Sequence, residues 1–437
     1  MSKLRLLIMA LCASLCSVGM YAQQPRVLSL EEIFALADEN SKTIQAEDAA
    51  VTEAQQEIRE AKNGRLPDIE LSVSASYLGN GYLLDRNFSN GQSIKMPHFG
   101  NNFAIKATQL IYGGGAVTSS IAMAKLKYEM AGINRDAARS NVRFMLAGFY
   151  LDLCKLHNVL KVYDKSIELA KVVIKDTKAR NAAGVVLQND VTRYELQLKN
   201  LELARKRAEN ALEILNYDLV TMLGLPLDTV IQPSSDILDH SLSLHDLTYW
   251  QDLAQDESHA IKQTRMAVQM NRTAEQLARA DRRPSIALIA ANNFDGPITI
   301  EVPVINKNFN YWYVGVGISW KISSLYKANK SIKRAQYATR TSIRRQEEVT
   351  QQIGIGVQAD YTKYMEAYEE VATLEKNVQL ASENYAIIET RYSNEVALVT
   401  DMLDASNQLL EAELQLANAR INVIFNYYKL KHTSGNL

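Results

Sequence analysis

The stretch Arg180-Asn-Ala-Ala-Gly184-Val-Val-Leu187-Gln-Asn-Asp190-Val-Thr-Arg-Tyr194-Glu-Leu-Gln197-Leu198 recurs as Arg391-Tyr-Ser-Asn-Glu395-Val-Ala-Leu398-Val-Thr-Asp401-Met-Leu-Asp404-Ala-Ser-Asn-Gln408-Leu409, and the recurrence decides the fold. Extended without gaps to Gly224 and Gly435 at a constant offset of 211, the alignment holds 12 identities in 45 positions, far above what unrelated segments share. Upstream, Ala61-Lys-Asn-Gly-Arg-Leu-Pro67-Asp-Ile-Glu-Leu71 parallels Ala278-Arg-Ala-Asp-Arg-Arg-Pro284-Ser-Ile-Ala-Leu288 at an offset of 217. Two offsets so close mean that one long unit is duplicated, and the element order read in one half is expected in the other.

Around the repeated stretch the residues read as long helix. Steps of four and three from Leu187 reach 191, 194, 198, 201, 205, 208, 212, 215, 219 and 222; ten of these eleven positions are apolar or tyrosine, Arg205 being the exception. The series from Leu398 holds nine of eleven. This is a 3.5-residue seam. Leu196, Leu203, Leu403, Leu410 and Ala417 lie beside the seams, enough for a neighbour on either side and better suited to a closed ring of helices than to an isolated coil. Proline agrees. There are only eight, and they leave residues 98–225 and 304–437 free of proline, a freedom that permits very long helices because proline removes a hydrogen bond and clashes with the preceding turn.

The expected layout follows. Residues 1–22 read as a signal peptide, with Lys3 and Arg5 before an apolar run and Ala22 at the cleavage point. Repeat 1 spans 23–225, with a helix 29–64, strands 68–78 and 102–112, and helices 116–180 and 185–222, the first of them roughly 100 Å long if unbroken. A connector occupies 226–242. Repeat 2 spans 243–437, with a helix 243–282, strands 285–293 and 311–322, and helices 328–391 and 397–431. Ile69, Leu71, Val73, Ala75 and Tyr77 alternate with polar residues, as a strand requires, and 79–102 reads as loop. Trp312, Val314, Val316, Ile318 and Trp320 alternate with tyrosine, glycine and serine, the pattern of an outer-membrane strand or of a soluble sandwich strand.

Composition narrows the function. Lys plus Arg number 48 against 49 Asp plus Glu, so no bulk basic field favours nucleic acid. Cys154 is the one cysteine beyond the signal, leaving no intrachain disulfide and reading as a buried helix thiol. No apolar helix of about 18 residues follows the signal, so a membrane would be entered by strands. The six histidines (98, 157, 240, 245, 259, 432) lack ligand spacing, and Gly113-Gly114-Gly115 lacks the Lys-Ser/Thr of a phosphate loop; the chain is expected to be no enzyme and to hold no cofactor or metal. Four strands per chain cannot close a sheet. Two chains give eight strands, a barrel filled by its own side chains, and three give twelve with space for a lumen.

Taken in order, Leu30-Glu31-Glu32-Ile33-Phe34-Ala35-Leu36-Ala37, Gly64-Arg65-Leu66-Pro67, Gln109-Leu110-Ile111-Tyr112-Gly113-Gly114-Gly115 and the paired tips resemble the TolC-like outer-membrane efflux family. The resemblance covers nearly the whole mature chain. It implies a mainly α fold with a transmembrane β-barrel part: a homotrimer whose 12-stranded barrel in the outer membrane continues into a 12-helix periplasmic α-barrel, with residues 223–245 and the chain ends forming a belt. It also implies a passive exit channel of a tripartite export system, gated at the periplasmic helix tips and joined through a periplasmic adaptor to an inner-membrane RND-type or ABC-type transporter. A coiled-coil adaptor or a structural coiled-coil protein without a pore is the competing reading.

The tips carry the candidate residues. Asp401 and Asp404 share a helix face. Three copies would converge six carboxylates on a constriction that attracts cations, as the family's acidic ring does; alone, the pair also fits a solvated helix start. By the same resemblance Tyr392 and Asp190 hydrogen-bond between neighbouring tip helices to hold the entrance shut, although Tyr392 also fits an apolar seam position. Gly184, Val185, Leu187, Val396 and Leu398 would meet the adaptor. Leu187 and Leu398 stand where relatives carry a small polar residue, Glu395 where they carry glycine and Ala397 where they carry arginine.

Overall fold

The computed structural model describes residues 26–234, 245–394 and 396–437. The signal-peptide segment 1–22, most of the second half of the 226–242 connector, His240 and Glu395 therefore lie outside the described residues. In chain order the elements are β1 (Arg26–Leu28), α1 (Leu30–Asn40), α2 (Lys42–Asn63), β2 (Asp68–Tyr77), β3 (Gly81–Leu83), β4 (Gln92–Ile94), β5 (Phe99–Gly113), α3 (Ala116–Ala182), α4 (Gln188–Met222), β6 (Ile231–Pro233), α5 (Leu247–Glu257), α6 (His259–Ala280), β7 (Ser285–Gly296), β8 (Phe309–Ser319), α7 (Ser324–Ser393) and α8 (Val399–Ser434). They form two compact units, one of residues up to 47, 136–259 and 351–437, the other of 48–135 and 260–350.

Two expected helices are each broken. The helix expected over 29–64 stops at Asn40 and restarts at Lys42, because Ser41 adopts φ −62° and ψ 122° while its N–H still closes on the Ala37 carbonyl at 2.9 Å. The helix expected over 243–282 breaks in the same way at Ser258 (φ −55°, ψ 120°; N–H to Ala254 O 3.1 Å). Each break is held by the end of another helix. α8 ends in left-handed Gly435, where a Cβ would stand 2.4 Å from the Glu257 carbonyl, and α4 ends at Gly224, where it would stand 3.1 Å from Asn40 Cβ. Glycine is needed for both the positive φ and the approach.

The first unit is organised by helix packing. Leu28, Leu30, Ile33, Ala37 and Ile44 pack on Leu146, Tyr150 and Leu153 of α3, with Leu219 and Leu223 at the end of α4 and Ile421 and Ile424 of α8. Ser29 caps α1 reciprocally with Glu32, fixing the start of that core helix. β1 pairs in parallel with β6 in the described part of the connector, and the buried Tyr150 hydroxyl donates to Leu28 O (2.9 Å) while accepting from Ser234 N (2.9 Å). Cys154 sits in this core with its thiol pushed up to about 12 by burial, an inert packing group. A second cluster seats Trp250 and Ala254 of α5 against Val357, Tyr364 and Leu430.

Histidines in this unit make its stability depend on pH. Burial, then repulsion from His259, holds the His432 imidazole below its ordinary value, with Asp360 acting the other way; burial and Lys161 do the same to His157. His432 stacks on Phe144 at 4.6 Å and its Nε2 lies 2.8 Å from Asn141 Oδ1. Both groups gain protons in the unfolded chain before the folded one. Their stabilisation is thus complete above about pH 6.5 and is lost as pH falls through that value toward the depressed folded pKa. The unfolding midpoint, followed by circular dichroism, is expected to drop between pH 7.5 and pH 5, and to drop less in His432→Gln; an identical drop in that variant rules His432 out as a contributor.

The second unit holds the main sheet, a four-stranded antiparallel array in the order β2-β5-β7-β8. The 79–102 segment expected as loop contains the β3/β4 hairpin, and β5 begins at Phe99 because Phe99 pairs with Tyr77. β7 runs to Gly296 rather than 293, since Phe294 pairs with Phe103 and Asp295 with Asn102, whose amide bonds the Asp295 carboxylate. β8 spans Phe309–Ser319 rather than 311–322 because the Trp320 indole turns to donate to Arg282 O (3.1 Å). α7 then starts at Ser324 and runs to Ser393, and α8 extends from Val399 to Ser434, longer than 328–391 and 397–431. α3 runs two residues past 180, and α4 begins at Gln188 rather than 185 because the tip turn occupies the difference.

Register places the apolar residues on one face in cross-strand rows. Leu71 pairs with Ile105, Ile105 with Asn292 and Asn292 with Trp312; Val73, Phe103 and Phe294 form the next row, and Leu288 pairs with Val316. Ile69, Leu71, Val73, Trp312, Val314, Val316 and Ile318 are all more than 60 % exposed, an apolar band that water would not leave uncovered. Trp312 and Trp320 lie about 26 Å apart along the strand direction at 3.3 Å per residue. β2 and β8 leave one hydrogen-bonding edge each without a strand neighbour among the described residues.

Candidate functional site

The two helix turns marked by the repeated stretch lie in the first unit and are built alike. At the first, Gly184 takes φ +75° while its N–H bonds Asn181 O (2.9 Å) and Val185 N–H reaches back to Arg180 O (3.0 Å), closing the last turn of α3. At the second, Val396 N–H reaches Arg391 O (2.8 Å). Each returning helix opens with an aspartate on its own backbone: Leu187 N–H donates to Asp190 Oδ2 (3.2 Å) and Leu398 N–H to Asp401 Oδ2 (3.0 Å). The aspartates are the acceptors because a first-turn carboxylate takes an orphan N–H and favours the positive helix end.

The sequence-selected residues fall into three settings. Asp401 and Asp404 are both exposed at the start of α8, and Asp404 accepts from Gln408 Nε2 (2.8 Å). Val185, Leu187, Val396 and Leu398 project into solvent, Leu187 and Leu398 being 72 % and 70 % exposed. Tyr392 is buried among Val173, Ile174, Tyr194, Tyr385, Val399 and Met402. Its hydroxyl lies 3.1 Å from Thr177 Oγ1, which itself donates to Val173 O (2.8 Å), so the phenol is the donor. Tyr392 thus joins α7 to α3 of its own chain, through Thr177, while Asp190 is half-buried and bonded to Leu187 N.

Arg180 and Thr177 were not singled out as contact residues in the sequence, although Arg180 opens the repeated stretch and Thr177 lies three residues before it. The Arg180 guanidinium stands 4.7 Å from the Tyr392 ring centre, donates to Tyr392 O (3.1 Å) and Ser393 O (3.4 Å), and pairs with Asp176 (2.8 Å). It therefore caps the carbonyl end of α7 from the end of α3. Lys178 pairs with Glu195, and Gln197 Nε2 donates to Asn407 Oδ1 (2.6 Å), linking α4 to α8. The Tyr194 phenol, buried beside Tyr392 and Tyr385, is pushed above its ordinary value chiefly by that burial and stays neutral. Among the described residues, no three His, Cys, Asp or Glu side chains cluster to hold a metal ion, and no helix is long and apolar enough to cross a membrane.

The sequence profile of the outer membrane efflux protein family matches residues 34–225 and again 250–436. The chain belongs to that family. Outer membrane protein TolC of Salmonella enteritidis is 22% identical to it over 394 residues, covering 87% of this chain and 77% of TolC. The fold is similar to the outer membrane protein VceC of Vibrio cholerae (TM-score 0.77, 16% identity, 93% of this chain and 96% of that one) and to the open-state MtrE channel of Neisseria gonorrhoeae (TM-score 0.73, 17% identity, 93% and 88%). As an outer membrane efflux protein, the chain is an outer-membrane exit channel of a tripartite efflux system with a periplasmic part, in a family of channels rather than enzymes. Such channels work with periplasmic adaptors and inner-membrane transporters.

Proposed function

We propose that three copies of this chain form one conduit, their sheets closing a twelve-stranded barrel in the outer membrane and their long helices a twelve-helix periplasmic tunnel that narrows at the tips. The observation that carries the reading is the four-stranded sheet, whose two outer edges are unpaired among the described residues, and its exposed apolar band: open edges cannot stay unpaired in hydrocarbon, and a neighbouring copy supplies the partner. Exposed Leu196, Leu203 and Tyr217, spaced seven and fourteen residues apart on α4, offer a second seam to the same neighbour. The two repeats, 23–225 and 243–437, each contribute one hairpin and one tip, with 226–242 as the connector between them.

At the tips, Asp401 and Asp404 from three chains supply a ring of six carboxylates that sets cation preference in the closed state. Val185 and Leu187, on the turn shaped by Gly184, and Val396 and Leu398 at the second tip present an apolar rim to the adaptor. Tyr392 keeps the tips shut by holding α7 to α3 in one geometry, Asp190 fixes the start of α4, and Arg180 adds a second link between α3 and α7. Substrate passes without chemical change, delivered by an RND-type or ABC-type transporter.

Purified protein in planar bilayers tests this directly: a pore is expected, and a protein that inserts without conducting overturns the conduit. Arg180→Ala removes one cation–π contact, two carbonyl bonds and the Asp176 pair, together about 2 kcal/mol at a largely buried side chain. Open probability is expected to rise at least tenfold, with Arg180→Lys intermediate because it keeps the charge and loses the planar fork. Unchanged gating in Arg180→Ala shows that the tip link does not limit opening.

A further inference from the structure

From the geometry at the foot of the sheet we infer a binding site for a phosphate group, separate from the tips. A cavity of about 520 Å³ opens there, lined by Gly114, Gly115, Arg272, Glu275, Arg279 and Arg283. Three guanidinium groups face one carboxylate, and that carboxylate is already engaged: Glu275 Oε1 pairs with Arg279 Nη2 (2.5 Å) and accepts from Gln336 Nε2 (3.3 Å). The lining is left with a surplus of two positive charges. Arg283 spends one of its five donors on Gly114 O (3.1 Å), which anchors its head beside the cavity, and Arg272 projects exposed from the adjoining turns of α6.

The glycines keep this space open. Gly114 takes φ +66°, and a Cβ there would stand 2.6 Å from the Ala280 carbonyl, so the backbone is drawn tight against the end of α6. Gly115 takes φ +95°, and its missing Cβ would sit 3.5 Å from Arg283 Nη1, in front of the guanidinium. The α3 ladder begins with Ser119 N–H to Gly115 O (3.0 Å), so the N–H groups of 116–118 precede it, with no acidic side chain in that first turn. Three guanidinium groups lining one cavity with a net positive charge suit an oxyanion that accepts from several donors at once, as a tetrahedral phosphate does.

Two sources share this chemistry. The paired residues Gly113 and Ser285 mark the end of β5 and the start of β7, where the strands meet the helices. In an outer-membrane protein this is the depth of the periplasmic-leaflet headgroups, so a phospholipid phosphate is one source and soluble phosphate the other. Full-length protein in phosphate-free detergent is titrated with inorganic phosphate by calorimetry and, separately, with phosphatidylglycerol or diacylglycerol of the same acyl chains by native mass spectrometry.

Retention of phosphatidylglycerol over diacylglycerol assigns the headgroup; phosphate binding without that preference assigns a soluble anion. In either case Arg272→Gln is expected to weaken binding about tenfold and Arg272→Glu to abolish it. Binding of neither ligand, or binding unchanged in both variants, overturns the site. Phosphorus NMR line widths of inorganic phosphate and phosphatidylglycerol on the unmutated protein give a check independent of the variants: no broadening of either signal overturns it as well. The outcome does not depend on pore formation, so a non-conducting protein that binds phosphate leaves this site standing.

Discussion

Asp401→Asn combined with Asp404→Asn is expected to erase cation preference and divalent block in planar bilayers while leaving the pore intact. Asparagine keeps an oxygen where Asp401 accepts the Leu398 N–H and where Asp404 accepts from Gln408, so the start of α8 retains its hydrogen bonds and loses only charge. In the proposed trimer six negative charges vanish from one constriction. Neighbouring carboxylates in a narrow, partly desolvated ring each contribute on the order of 1 kcal/mol or more to a bound cation, so divalent affinity falls by at least 100-fold. Reversal potential in a salt gradient and the concentration of divalent cation that halves the current are the two readings. Selectivity unchanged in the double variant moves the filter away from these residues, even if conductance confirms a channel.

Val314→Arg is expected to be as damaging to assembly as the first pair is to selectivity. Val314 is 62 % exposed at the centre of the apolar face of β8, between Trp312 and Val316. A charge facing hydrocarbon at mid-depth in a barrel costs about 2–4 kcal/mol, and the proposed assembly incurs it three times. Oligomer seen by crosslinking in outer-membrane fractions should fall at least tenfold. Ser74→Arg, which lies on the opposite face in register with Asn102, should leave it nearly intact. Equal loss in both variants means that the two faces are not distinguished by lipid and water.

The sequence made the strands and long helices legible because their periods are written in strong characters: Ile69, Leu71 and Val73 against Glu70, Ser72 and Ser74, and the seam from Leu187 against its charged flanks. The breaks at Ser41 and Ser258 were not legible, since serine forbids nothing in a helix. What bends the chain there is packing from far away in sequence, with the ends of α4 and α8 seated on the two kinks through Gly224 and Gly435. β3 and β4 were hidden for a different reason: three-residue strands in a Gly/Asn/Ser-rich segment carry too few positions to show a period.

At the tips, the sequence marked the two repeated turns but not the contacts that join them. Tyr392 is both of the things its position allowed, an apolar seam residue by burial and a hydrogen-bond donor by its hydroxyl, because Thr177 sits opposite at 3.1 Å. Thr177 and Arg180 are unremarkable in a helix otherwise rich in lysine. Only the approach of α7 to α3 gives them a role, and that approach is a tertiary fact about two segments more than 200 residues apart.

The strand order β2-β5-β7-β8 also constrains how copies meet. All four helix connections leave the sheet at the same end, since α2 precedes β2, β5 precedes α3, α6 precedes β7 and β8 precedes α7. A symmetric β2-to-β2 contact would either invert one copy, sending its helices across the bilayer, or turn its apolar face to the other side. Only β2 against β8 keeps both orientation and face. In the proposed assembly, contact between copies is therefore head-to-tail, a polarity that yields rings and excludes a pair joined through one shared edge. Within that barrel the two edge strands decide which chains share a sheet, so a cell that makes two related channels must sort its barrel subunits on about twenty residues, with the helical seam as the second check.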